Sequence, residues 1–147
     1  MSGGPNWISA APLLPHQPPA RLVERIALVA DEEIEFEGGV PRDSPFREGG
    51  VVPGWVALEL AAQAAAAWET GGMAGEPWRE PRVGYIVAVR ELVLKRSAFP
   101  AAARLRGRIR LAGSAPPLTI YDVEVSCSEG ELLTGSVSTW VTRPTAS

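Results

Sequence analysis

One cysteine and one histidine stand among 147 residues. Cys127 has no second cysteine with which to close a disulfide in the chain, and one Cys with one His cannot build a structural zinc site, so neither kind of framework is expected. Surplus cation is missing as well. Lys plus Arg number 14 against 17 Asp plus Glu, a net charge of -3, whereas a general nucleic-acid binder needs excess positive charge to neutralise phosphates. No run approaches the roughly 18 apolar residues of a membrane-spanning helix, and residues 1–11 lack the basic start and long apolar stretch of an export signal. The expectation is a cytoplasmic protein that touches neither nucleic acid nor membrane.

What is present suffices for a core. Hydrophobic residues make up 46% of the chain and charged residues 21%, which fits one domain over 1–147, with no internal repeat and no dividing linker. Residues 1–20 carry Pro5, Pro12, Pro15, Pro18 and Pro19, and each proline pushes its predecessor out of helical space, so an extended, irregular lead-in is predicted. From Arg21 to Ala30, and again through Ile34 and Phe36, the pattern predicts two strands, the second ending at Gly38 and Gly39.

Pro53 and Gly54 precede WVALELAAQAAAAWET, a run of strong helix formers closed by Gly71 and Gly72. Between Trp55 and Trp68 only Glu59 and Gln63 are polar, which predicts burial on most sides. A loop over 73–82 leads to VGYIVAVRELVLK, a strand with little alternation and so with two covered faces. In ARLRGRIRL, Arg104, Arg106, Arg108 and Arg110 fall on one side and Leu105, Ile109 and Leu111 on the other, the mark of a strand with one wet face. Two further strands, LTIYDVEVSCS and LLTGSVSTWVT, complete a meander. One helix too apolar for a surface, with an antiparallel sheet large enough to curl, predicts an α+β fold in which the sheet wraps around one central helix, the hot-dog arrangement. A six-stranded barrel with a helical plug would want a distinct polar stripe on the helix, and this one offers two polar residues.

Glu59 is the most informative residue, because an ionisable group among Trp55, Val56, Leu58 and Leu60 must be desolvated, paired or placed at a cleft. Trp55, Glu59 and Gln63 lie at successive i, i+4 positions and share one stripe. That stripe either meets solvent through a gap, leaving an ordinary glutamate, or holds a carboxyl in its acid form as a general acid. Gly54 stands at the helix start, where free amides and the helix dipole favour developing negative charge; the plain alternative is a helix start and nothing more. His16, the sole histidine, is either the one available base near neutrality or a surface residue in a proline-rich tail. Cys127 reads as a small buried hydrophobe. The four-arginine strand face is a solvated surface or a dock for an acidic carrier protein or a phosphate-bearing arm.

Two segments carry a family resemblance. LLPHQPPARLVERI is similar to the Leu-Pro-His segment and following strand of the FabA and FabZ-like 3-hydroxyacyl-acyl-carrier-protein dehydratases, and SPFREGGVVPGWVALELAAQAAAAW resembles their Pro-Phe, Pro-Gly and Glu-containing helix signature. The form of the helix motif looks closest to a divergent branch, some of it associated with aryl-polyene synthesis. The resemblance implies a hot-dog lyase that removes water from a 3-hydroxyacyl thioester, in fatty-acid, polyketide or aryl-polyene type biosynthesis. Glu59 would match the catalytic carboxylate and Gly54 the glycine whose amide binds the thioester oxygen, with Trp55 and Gln63 beside the substrate. It implies no metal and no organic cofactor, an acyl-carrier-protein or CoA-linked substrate, and a homodimer or a hot-dog heterodimer. The family's usual Gly-His-Phe-Pro histidine is missing from residues 47–52, and His16 is assigned the base role in its place. An acyl thioesterase on the same fold and a non-catalytic partner subunit are the alternatives.

Overall fold

A computed structural model describes residues 6–71, 84–115 and 117–141. The loop expected over 73–82 lies outside them, as does the start of the next strand at Val83. In chain order the elements are β1 (Ile8–Ser9), a 3-10 turn (Ala11–Leu13), β2 (Val23–Ala30), β3 (Glu33–Gly38), β4 (Val51–Pro53), α1 (Val56–Thr70), β5 (Gly84–Leu94), β6 (Ala98–Pro100), β7 (Leu105–Ala115), β8 (Leu118–Cys127) and β9 (Gly130–Val141). Seven strands form one antiparallel sheet in the order β1-β2-β3-β7-β8-β9-β5, and β4 pairs with β6 in a separate ribbon. The large sheet curves around α1, which touches β2, β3, β7, β8 and β9. This is the predicted packing. The lead-in is less irregular than expected, because β1 pairs with β2 and a short turn follows. Among the described residues no helix is long and apolar enough to cross a membrane.

Alternation decides which face each strand gives the helix. Ile34 and Phe36 of β3 and Leu105 and Ile109 of β7 point inward and are buried. Their outward neighbours form an ion ladder: Arg106 with Glu37, Arg108 with Glu33 and Glu35, and Arg25 with Glu37. Arg110 faces Asp122, and Arg104 pairs with Glu24. The four arginines thus spend their charge on their own sheet. Each such exposed pair contributes only about 0–1 kcal/mol, so the ladder sets register more than stability. Cys127 is buried at the end of β8, within the apolar core.

The helix is not closed all round. Val56, Ala57, Leu60, Ala61, Ala64, Ala65, Ala67 and Trp68 are buried, whereas Trp55, Glu59, Ala62, Ala66 and Glu69 form a partly open stripe at spacings of four and three residues. Beside it, β5 departs further from expectation. Its predicted two covered faces are bare in the single chain: Ile86, Val87, Val89, Leu92, Val93 and Leu94 are 36–53% exposed. Strand β5 pairs with β9 along one side, and no described strand pairs with the other.

At the far end of the stripe, the Tyr121 hydroxyl donates to Glu69 Oε1 at 2.6 Å, while Glu69 Oε2 is buried without a partner among the described residues. Burial lifts the Glu69 carboxyl above the ordinary carboxylate range, against the pull of hydrogen bonds from Tyr121 and Thr119. The folded chain therefore keeps this proton to higher pH than the unfolded chain does. Its stability contribution falls as pH rises from the ordinary carboxylate range toward the folded value, then levels off. Thermal melts of wild type and Glu69→Gln between about pH 4 and 8 should show a relative decline that belongs to the wild type alone; parallel curves would contradict the assignment.

Candidate active site

Gln63 organises the region around Glu59. Its side chain is 1% exposed in the middle of α1, where an amide must satisfy two acceptor and two donor positions or cost free energy. Its Oε1 accepts from the backbone amides of Leu22 at 2.7 Å and Val23 at 3.3 Å. Its Nε2 donates to the Ala20 carbonyl at 2.9 Å and to Glu59 Oε1 at 3.2 Å. Every position is filled by the chain itself. The side chain thereby forms a clamp that ties the lead-in to the helix and steadies Glu59.

The clamp carries His16 to the acid. His16 Nε2 lies 3.8 Å from Glu59 Oε1 in the same chain, beyond hydrogen-bond length but within ion-pair reach. Both side chains remain partly accessible, at 31% and 37%. His16 Nδ1 is buried with no hydrogen-bond partner among the described residues, while Nε2 is the ring nitrogen turned to Glu59. Of the two readings of the stripe, the single chain shows the one that meets solvent, with Ala62 and Ala66 also partly open beside Glu59. Trp55 is 54% exposed at the mouth and meets the Phe46 ring edge-on, with centroids 5.7 Å apart.

Gly54 is required for a reason the sequence does not reveal. A Cβ on it would lie 2.0 Å from the Arg96 carbonyl oxygen, and its own amide donates to the Ser97 carbonyl at 2.8 Å. That donor is occupied. The helix-end amides without a backbone acceptor among the described residues are those of Trp55 and Val56, one and two positions on. From the sequence Trp55 stands out beside Gly54 but Val56 does not, although counting the unsatisfied amides of the helix start reaches it. Glu59, in the first turn, sits at the same positive helix end.

A curved antiparallel sheet around one helix, with a carboxylate near the helix start and a Pro-Gly entry, defines a hot-dog protein. The chain belongs to the ApeP-like family, described as ApeP dehydratase, which it matches over residues 8–146. It is thus a dehydratase-like protein. The solved dehydratase heterocomplex ApeI:P from Xenorhabdus doucetiae is similar at 26% identity and a TM-score of 0.76, over 94% of this chain and 93% of that one. A hypothetical thioesterase solved with coenzyme A, from Streptococcus pneumoniae TIGR4, shares 15% identity at a TM-score of 0.56, over 80% and 84% of the two chains. A thioesterase from Haemophilus influenzae shares 16% identity at a TM-score of 0.57, over 84% and 80%. Those two likenesses establish the fold. No curated protein sequence matches the chain.

Replacing Gln63 by Leu leaves the Leu22 and Val23 amides and the Ala20 carbonyl unpaired. At about 1–3 kcal/mol for each stranded group, a loss of at least about 3 kcal/mol is expected, a drop of roughly 6–12 °C in Tm. A melt within about 2 °C of wild type would show that the clamp holds nothing.

Proposed function

We propose that this chain is a hydro-lyase that eliminates water from a 3-hydroxyacyl thioester, with His16 as base and Glu59 as acid, inside a two-chain hot-dog assembly. The observation that carries the reading is the 3.8 Å approach of the only histidine to the only carboxylate in the apolar part of the helix. His16 Nε2 removes the proton from C2, and the electron pair moves into the thioester carbonyl, whose oxygen lies against the Trp55 and Val56 amides. The Glu59 carboxyl protonates the hydroxyl on C3, the C–O bond breaks, water leaves and the C2–C3 double bond forms. The proton on His16 then returns to Glu59 across the short gap, which resets both groups. The scheme uses no metal and no organic cofactor.

Two features support a partner chain. For Nε2 to keep its lone pair the ring proton must sit on Nδ1, and the described residues offer it no acceptor. The bare apolar edge β5 and the open stripe of α1 invite a second sheet to continue the first. A dehydratase heterocomplex among similar structures fits a heterodimer better than a homodimer. The same unpartnered Nδ1, with the absence of histidine from residues 47–52, also favours a second reading, in which this chain completes a catalytic partner without turning over substrate itself.

The readings separate in the assembled complex on a 3-hydroxyacyl-carrier substrate. Glu59→Gln in this chain alone should lower kcat by about 10²–10⁴-fold, with enoyl absorbance as the readout. Unchanged kcat would assign the chemistry to the partner, and free thiol release in place of enoyl product would make the protein a thioesterase. Val87→Lys, on the exposed strand edge, should shift the assembly to single chains in analytical ultracentrifugation without lowering helix content; an intact assembly would remove β5 from the interface.

A further inference from the structure

A cleft of about 470 Å³ runs between the lead-in and the loop before β4, lined by Pro18, Arg21, Arg42, Arg47 and Arg104 among others. Its charge balance is unlike that of the rest of the molecule. Four guanidinium groups face it with one carboxylate, Glu24, and that carboxylate is held by Arg104 at 2.6 Å. Arg21 and Arg42 form no ion pair among the described residues. Arg47 is pinned by neutral acceptors: its Nε donates to the Pro41 carbonyl at 2.8 Å and one Nη to the Val40 carbonyl at 2.7 Å. Its charge is thus uncompensated, and its other terminal nitrogen keeps its donors free in a fixed orientation. The grooves on the outer sheet face contain Arg106, Arg108 and Arg110, but there the carboxylates outnumber them. Three of the cleft's cations, Arg21, Arg42 and Arg47, have no carboxylate partner among the described residues, in a chain whose net charge is -3.

We infer that this cleft binds a phosphate group of the substrate's thioester-bearing arm. The inference rests on the thioester reading above and adds the group by which the arm is gripped. Several unpaired guanidinium donors converging on a cavity suit a phosphate, which accepts forked hydrogen bonds from arginine and supplies the missing negative charge. The cleft also shares a wall with the active site, because Pro18 and Arg21 belong to the segment that carries His16 and that Gln63 clamps. Arg21 follows His16 by five positions, which caps the distance between their Cα atoms at about 18 Å. One extended arm can therefore present its phosphate to the arginines and its thioester to Glu59. The phosphate acceptor moves from the four-arginine strand, whose charges are already paired, to the lead-in and the loop before β4.

The phosphate belongs either to a carrier protein's phosphopantetheine arm or to coenzyme A, and calorimetric titration distinguishes them. Pantetheine, 4′-phosphopantetheine, coenzyme A and holo-carrier protein are each titrated into the wild-type assembly and into an Arg21→Gln/Arg42→Gln variant. The variant should weaken the phosphate-bearing probes at least about tenfold and leave pantetheine unchanged, with KM rising for carrier-linked or CoA substrate but not for an N-acetylcysteamine thioester. Whichever of holo-carrier and coenzyme A loses more affinity identifies the source, and either result supports the site. Equal binding of pantetheine and 4′-phosphopantetheine overturns it. Binding of the variant at wild-type affinity, or of carrier protein with or without its phosphate, does so too. Because titration needs no turnover, a protein that binds phosphopantetheine through Arg21 and Arg42 yet dehydrates nothing would sink the proposed function and leave this site standing.

Discussion

The four hydrogen bonds of Gln63 are the constraint on which the functional region depends. A buried amide in an apolar helix has no tolerable alternative to full pairing, and here its partners come from residues 20–23 and from Glu59. The bonds to Ala20, Leu22 and Val23 hold the proline-rich segment on the helix, alongside the packing of Leu13 and Leu14 on the core. The bond to Glu59 holds the carboxylate on the same side. His16 meets Glu59 because both ends of one clamp are occupied at once, and the Arg21 wall of the basic cleft is set by the same bonds.

The lone chain leaves apolar and polar surfaces uncovered. Six apolar side chains of β5 are a third to a half exposed, α1 shows an open stripe beginning at Trp55, and His16 Nδ1 is buried without an acceptor. A second sheet laid against β5 would cover the strand and close the stripe over Glu59. The desolvation expected of an acid in such a helix would then come from the assembly, which joins the acid's environment to partner binding.

Much of the fold was legible because period and composition act locally. The alternation through Ile34 and Phe36, and through Arg104 to Arg110, assigned the faces of β3 and β7 correctly, and the alanine-rich run marked the central helix. The unbroken apolar run of β5 signalled burial but not by which body, since hydrophobic pattern is the same whether the cover comes from this chain or another. The backbone partners of Gln63 were not legible, because one polar residue on an apolar helix looks alike whether it meets a ligand or a backbone. Gly54 hid its reason in the non-local approach of Arg96, 42 residues away in the chain. The ion pairs of the four arginines were likewise invisible without knowing that β3 and β8 flank β7.

The account turns on His16 and Glu59 working as one unit within a single chain. A double-mutant cycle on kcat in the assembled complex, with His16→Ala, Glu59→Gln and the pair, tests this most directly. Groups that pass one proton between them lose nearly everything with either change, so the double variant should be no slower than the worse single variant. Multiplying losses would mean that the two residues act independently, and an unaffected kcat in all three would mean that the chemistry lies elsewhere.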